Sequence, residues 1–151
     1  MNGTINPIKL NEVIEYEDLF HETYSGTSLK AGRIVHIVYW INPGESFITY
    51  DILDHKKKYV NIEDSLSPPS IQRQEISFET LFDLKQPVDI EIAGVKRPSV
   101  IVSITIHWSE EGTEVSYGVT DRTATTYFGV REELLVKWNP HLPARSLYTS
   151  L

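Results

Sequence analysis

Cysteine is missing from the chain altogether, which excludes disulfides, thiolate metal ligation and a cysteine nucleophile. The redox compartment is left open by that absence. A basic face is lacking too. The net charge is −7 with Lys and Arg scattered along the chain, and sequence-independent affinity for nucleic acid comes from clustered cations. DNA and RNA are therefore not expected as partners. The one local basic run, HKKK at 55–58, is flanked by DILD and IED. Those carboxylates cancel its field beyond a Debye length of about 8–10 Å, so it reads as a solvated hairpin tip. No apolar run approaches the length of a membrane span, and the N-terminus MNGTINPIKLNEVIEYEDLF lacks the basic start and apolar stretch of a secretory signal. A cytoplasmic or particle-bound protein with no membrane partner is expected.

The residues that chemistry would need are equally thin. No glycine-rich loop follows a strand and opens a helix, so no phosphate cradle is predicted. The histidines, at 21, 36, 55, 107 and 141, show none of the close pairings of metal sites. His36 and His107 read as sheet-surface residues. Asp51, Asp54 and His55 suggest a metal site or an acid–base pair, but strand alternation sends the two aspartates to opposite sides, and Asp54 heads a turn that favours aspartate. No catalytic residue, cofactor or metal is expected, and the chain does not read as an enzyme.

What the chain does have is a unit written twice. In its 151 residues, 40% of them hydrophobic, RIVHIVYWI (33–41), SFITYDIL (46–53) and YVNIEDSL (59–66) recur in order as VIVSITIHW (100–108), EVSYGVT (114–120) and YFGVREEL (127–134). Ile34 and Ile101, Ile37 and Ile104, Tyr50 and Tyr117, and Asp54 and Asp121 are each 67 apart. Tyr59, Ile62 and Leu66 match Tyr127, Val130 and Leu134 at 68. EVIEY at 12–16 resembles PVDIEI at 87–92. Each copy carries a hairpin: NPGE (42–45) suits a type II turn, and SEEG (109–112) a type I turn closed by a glycine of positive φ. The flanking runs alternate and are rich in Val, Ile, Thr and Tyr, which predicts strands. Between the copies, the prolines of SLSPPSIQRQ (65–74) mark a linker. SFETLFDL (77–84) is predicted as a helical turn or two, capped by Ser77, with Phe78, Leu81 and Phe82 inward. Prolines 140 and 143 make the tail an irregular arm, held down by Trp138 or Tyr148 if it is ordered.

Alternation in the second copy places Val100, Val102, Ile104, Ile106 and Trp108 in the core and Ser103, Thr105 and His107 outside. Carried back by 67, it places Val35, Ile37, Tyr39 and Ile41 inside. Ile34, His36, Val38 and Trp40 then form a surplus apolar row that needs a cover: the other repeat, the N-terminal segment or a partner. An alignment slipped by one, pairing Trp40 with Trp108, reverses the two rows and still leaves one over. Tyr50 and Tyr117 run in phase with the core.

Aromatic residues cluster on adjacent strands: Tyr39, Trp40, Tyr50 and Tyr59 in one copy, His107, Trp108, Tyr117, Tyr127 and Phe128 in the other. With their strand order and turn placement, residues 12–66 and 87–138 resemble Tudor-like and Src-homology-3-like small barrels. The resemblance implies five strongly bent strands with an aromatic groove or cage that binds methylated side chains or proline-rich peptides. Trp40 and Tyr59 in one copy, or Trp108 and Tyr127 in the other, are the residues placed for such a cage. The second copy also resembles small barrels common in bacteriophage and prophage proteins, through Gly112, Tyr117, Val119, Glu132, Glu133 and Leu134. That likeness implies a virion or accessory component acting by assembly.

The expected architecture is all-β, with two tandem small Src-homology-3/Tudor-like barrels. Residues 1–66 hold the first barrel and its N-terminal segment, 67–86 a linker with a short helix, 87–138 the second barrel, and 139–151 an irregular arm. The expected function is structural or adaptor, cytoplasmic or virion-associated, through a protein partner or self-association at Ile34, His36, Val38 and Trp40. The alternative is a ligand-binding module that holds a small molecule, nucleotide or modified side chain between aromatics, such as a phage protein sequestering a host signal.

Overall fold

The computed structural model describes residues 1–18, 28–54, 59–64 and 72–137. These residues are all-β. Five strands make the first half: β1 (Asn2–Ile5), β2 (Val13–Asp18), β3 (Ser28–Asn42), β4 (Glu45–Asp54) and β5 (Tyr59–Glu63). Six follow: β6 (Ile76–Glu79), β7 (Pro87–Ile92), β8 (Val95–Ser109), β9 (Gly112–Asp121), β10 (Thr126–Arg131) and β11 (Leu135–Lys137). A 3-10 turn at Glu132–Leu134 separates the last two. The basic tip at 55–58, most of the linker, His21, His55 and the tail from Trp138 onward lie outside the described residues.

Both predicted hairpins form. Asn42 pairs with Glu45 across Pro43 and Gly44, and Gly44 takes a φ of 78° that a Cβ would disfavour. Ser109 pairs with Gly112, whose φ is 130°. The strands keep the spacing of the sequence match: β8 starts and ends 67 residues after β3, and β9 does the same after β4. β6 and β7 lie 74 residues after β1 and β2.

The halves expected as barrels at 1–66 and 87–138 share one nine-stranded sheet, a curled half-barrel. Its path runs β10-β9-β8-β3-β4-β5, with β2 also on β3, β7 on β8 and β11 on β7. The join is an antiparallel pairing of β3 with β8, from Ile37 opposite Trp108 to Ile41 opposite Ile104. Tyr39 opposite Ile106 is its midpoint, and those two residues are themselves 67 apart, so the halves meet about a local two-fold axis. β1 and β6 pair in the same symmetrical way, from Asn2 opposite Glu79 to Ile5 opposite Ile76.

Two bulges correct the predicted faces. β3 changes partner along one edge, from β2 at 28–33 to β8 at 37–41, and its ladder with β4 slips between Ile34 and His36. The matching slip on β8 falls between Ile101 and Ser103. A bulge inserts one residue and bends its strand, so side chains before and after it keep one face although the parity changes. Ile34 and Ile101 are therefore fully buried in the core, whereas Val35 and Val102 are only half-buried. Ile34 leaves the proposed outer row, and Val100 and Val102 leave the core.

The helix expected at 77–84 does not form: strand continues to Glu79, and bends and a turn follow it. Ile76–Glu79 pairs with β1, and its burial alternates with period two. Phe78 packs its edge on Tyr39 at 5.4 Å and covers Gly3. A pairing partner from the distant N-terminus outweighs the local capping signal of Ser77. Leu81, expected inward, is exposed, while Phe82 is buried.

The core lies on one side of the sheet and is closed by the β1–β6 ribbon. It contains Ile37, Ile41, Tyr50 and Ile52 from the first half and Ile104, Ile106, Trp108, Tyr117 and Val119 from the second. Each half tethers one buried tyrosine. Tyr50 donates its hydroxyl hydrogen to Asp64 and accepts from the Ile8 amide at 2.9 Å. Tyr117 donates to Glu132 at 2.5 Å and accepts from the Phe82 amide at 3.4 Å. Ile8 and Phe82 are 74 apart, like the strands beside them. Burial first, and then the adjoining carboxylate, pushes both phenols well above their usual pKa.

Candidate functional site

The other face of the sheet is open among the described residues and bears a groove of about 490 Å3. Val38 and Trp40 of β3, Asp51 of β4 and His107 of β8 line it. Placement follows from the ladder: Val38 stands opposite His107, and Trp40 opposite Thr105, on adjoining strands.

At one end the open face is polar. His36 stands opposite Asp51 in the β3–β4 ladder, with Nδ1 3.0 Å from Oδ2. Asn61 of β5 donates to the other carboxylate oxygen at 2.9 Å. His107 reaches in from β8, its ring centroid 4.6 Å from that of His36. Tyr59 lies parallel to His36 on the other side, with centroids 6.2 Å apart. One ligand atom from each of His36, Asp51 and His107 falls within 4.8 Å of the others. Partial burial, and next the neighbouring His36, lower the pKa of His107.

Toward the other end the face is aromatic. Trp40, 37% exposed, stacks on Phe47 at 6.0 Å and donates from Nε1 to Thr49 Oγ1 at 2.8 Å. Phe128, 76% exposed, reaches back over Gly118. A Cβ at Gly118 would come within 2.2 Å of Ser103 Oγ and 3.3 Å of the Phe128 ring, so the bare backbone lets both side chains settle there.

Of the residues expected to bind a partner, His36 and Trp40 are accessible on the open face, Val38 on the same face is buried at 6% exposure, and Ile34 lies in the core. Of the two pairs expected as cages, Trp108 with Tyr127 does not form one. Trp108 is buried in the core on the far face, and Tyr127 is tied through its hydroxyl to Asp121 Oδ2 at 3.2 Å. Only Trp40 and Tyr59 of that set face outward. Asp51 and Asp54 do point to opposite sides: Asp54 is buried, and Asp51 stands half-exposed beside His36.

His107 and Asn61 are the members that sequence spacing misses, because they arrive on separate strands. The His36–Asp51 pair is legible. Counting outward from a two-residue turn at Pro43–Gly44 sets these two residues opposite each other. No protein-family model matches the chain, and no curated protein or solved structure matches it either.

Proposed function

We propose that this chain is a non-catalytic binding protein that works by assembly, docking a protein partner or a second copy of itself on the open face of its sheet. The observation that carries this reading is Trp40: a large indole, 37% exposed near the middle of a sheet face, bordered by Val38 and stacked on Phe47. Exposed aromatics set in a shallow apolar surface are the usual anchors of protein interfaces. The matched halves support a finer statement, that the chain is two Src-homology-3-like units fused through β3 and β8. A particle-bound setting belongs to the same proposal and rests on the likeness of the second unit to phage small barrels.

Light scattering on the eluting protein, over a hundredfold range of concentration, tests self-assembly. We expect a mass that rises with concentration, and Trp40→Ala to abolish the rise at a stability cost of about 1–2 kcal/mol, the loss of its hydrogen bond to buried Thr49. A monomer throughout would leave only a foreign partner. Loss of stability of about 3–5 kcal/mol in Trp40→Ala would show the indole to be core and sink the reading.

A second reading has one observation in its favour. The groove volume, about 490 Å3, lies in the range of small-molecule sites, roughly 300–1,000 Å3. A saturable change in Trp fluorescence with a nucleotide or a methylated peptide would move the function there.

A further inference from the structure

We propose that His36, Asp51 and His107 form a binding site for a divalent transition ion of the zinc class, on the open face of the sheet. The ion site is independent of the docking role given to Trp40, and either can fail alone.

The donor set comes first. Two imidazoles and one carboxylate suit zinc and its neighbours among the divalent transition ions, whereas magnesium and calcium ask for oxygen ligands throughout. Three protein ligands also leave one position for water or an incoming group.

Geometry is the second support. The three ligand atoms already lie within 4.8 Å of one another. Zinc holds nitrogen and carboxylate oxygen at about 2.0–2.2 Å, which sets neighbouring ligands roughly 3.3–3.5 Å apart in a tetrahedral site. Rotation of side chains alone closes that difference. The backbone beneath is fixed, since β4, β3 and β8 are consecutive strands of one ladder, with His36 opposite Asp51 and His107 opposite Val38. Ligands carried by a rigid sheet lose little entropy on binding.

The surroundings are the third. Asn61 holds one oxygen of Asp51 and turns the other toward His36, the outer contact that commonly orients a ligating carboxylate. The side chains of His36 and Asp51 are 32% and 30% exposed, so an ion has a way in. Glu114 stands opposite His107 in the β8–β9 ladder and brings a further negative charge to the same rim.

The internal two-fold supplies a control. At the positions equivalent to His36, Asp51 and His107 stand Ser103, Gly118 and Trp40, a hydroxyl, no side chain and an indole. The sheet forms there without any of the three donors. Folding therefore does not demand the His–Asp–His set, which leaves these three positions free to serve binding.

Zinc chloride titrated into the full-length protein, by calorimetry and against a chromophoric chelator, tests the site. We expect one ion per chain at micromolar or better affinity, undisturbed by excess magnesium. His36→Ala and His107→Ala should each weaken binding about 10-fold or more, while joint replacement of His21, His55 and His141 by Ala leaves it unchanged. Should the single variants misfold, NMR of the imidazole nitrogens in the unaltered protein decides instead. Shifts of His36 and His107 that saturate at one equivalent support the site. Shifts confined to the other histidines, unchanged affinity in the folded His36→Ala/His107→Ala double variant, or no displacement of the chelator would overturn it.

Discussion

In the first half of the molecule Tyr50 is held by the Ile8 amide and Asp64; in the second, Tyr117 is held by the Phe82 amide and Glu132. The backbone around them agrees as closely. Asn11 and Lys85, 74 apart, both take positive φ, at 71° and 65°, and their amides donate to Ile34 and Ile101. Across the sheet the agreement stops: His36 answers to Ser103, Asp51 to Gly118 and Trp40 to His107. The difference separates what the fold requires from what it leaves free. A close-packed core punishes any change of volume, and a buried hydroxyl must keep its partners. A solvated face carries no such penalty, so its divergence marks the side on which binding is expected to lie.

The largest expected effects test the matched side. Ile37 and Ile104 are equivalent, both are fully buried, and each flanks the β3–β8 seam. Ile37→Ala and Ile104→Ala should each cost about 2–5 kcal/mol, read from urea unfolding. Because one sheet passes through both halves, each variant should unfold in a single transition. Two transitions, with only one of them moved by each substitution, would show that the halves fold as separate bodies.

The tyrosine tethers rank next. Removing a hydroxyl leaves a buried backbone amide and a carboxylate short of a partner, which costs about 1–3 kcal/mol. Tyr50→Phe should lie toward the upper end, because its amide contact is 2.9 Å against 3.4 Å at Tyr117, even though Arg73 at 3.0 Å leaves Asp64 one partner. Equal losses, or a larger one in Tyr117→Phe, would mean that these differences in geometry carry no energy.

Much of this was legible in the residues, and the failures have physical causes. The match of Tyr50 with Tyr117 follows from phase, and the hairpin strands follow from alternation between two readable turns. The outward facing of His36 and Trp40 follows as well, since both lie beyond the bulge, although Val38 between them is buried. Ile34 does not, because one inserted residue at Val35 reverses parity and leaves no mark in composition. The β1–β6 ribbon escaped because Ser77 signals a cap locally, whereas its strand partner lies some 74 residues away. The same limit hid the His36–His107 contact. Pairing within a hairpin is set by its turn, but the edge-to-edge join of β3 and β8 is set by the whole fold.

The smallest expected effect sharpens the comparison at Asp121, the counterpart of Asp54. Its carboxylate accepts from the Thr123 hydroxyl at 2.6 Å, the amides of Thr123 and Thr125 at 2.9 and 3.1 Å, and the Tyr127 hydroxyl. These donors, the Thr123 hydroxyl foremost, favour the charged form and lower the pKa below the ordinary 3.8. A carboxyl depressed in the folded state stabilises above its unfolded pKa, and that contribution fades as pH falls through the folded value. The unfolding midpoint of the native chain should therefore drop below about pH 4. Asp121→Asn, which has no such proton to take up, should lose less over the same interval. Parallel curves for the two proteins would remove Asp121 from the acid response and leave the burden to other carboxylates, with Asp54 the first to examine.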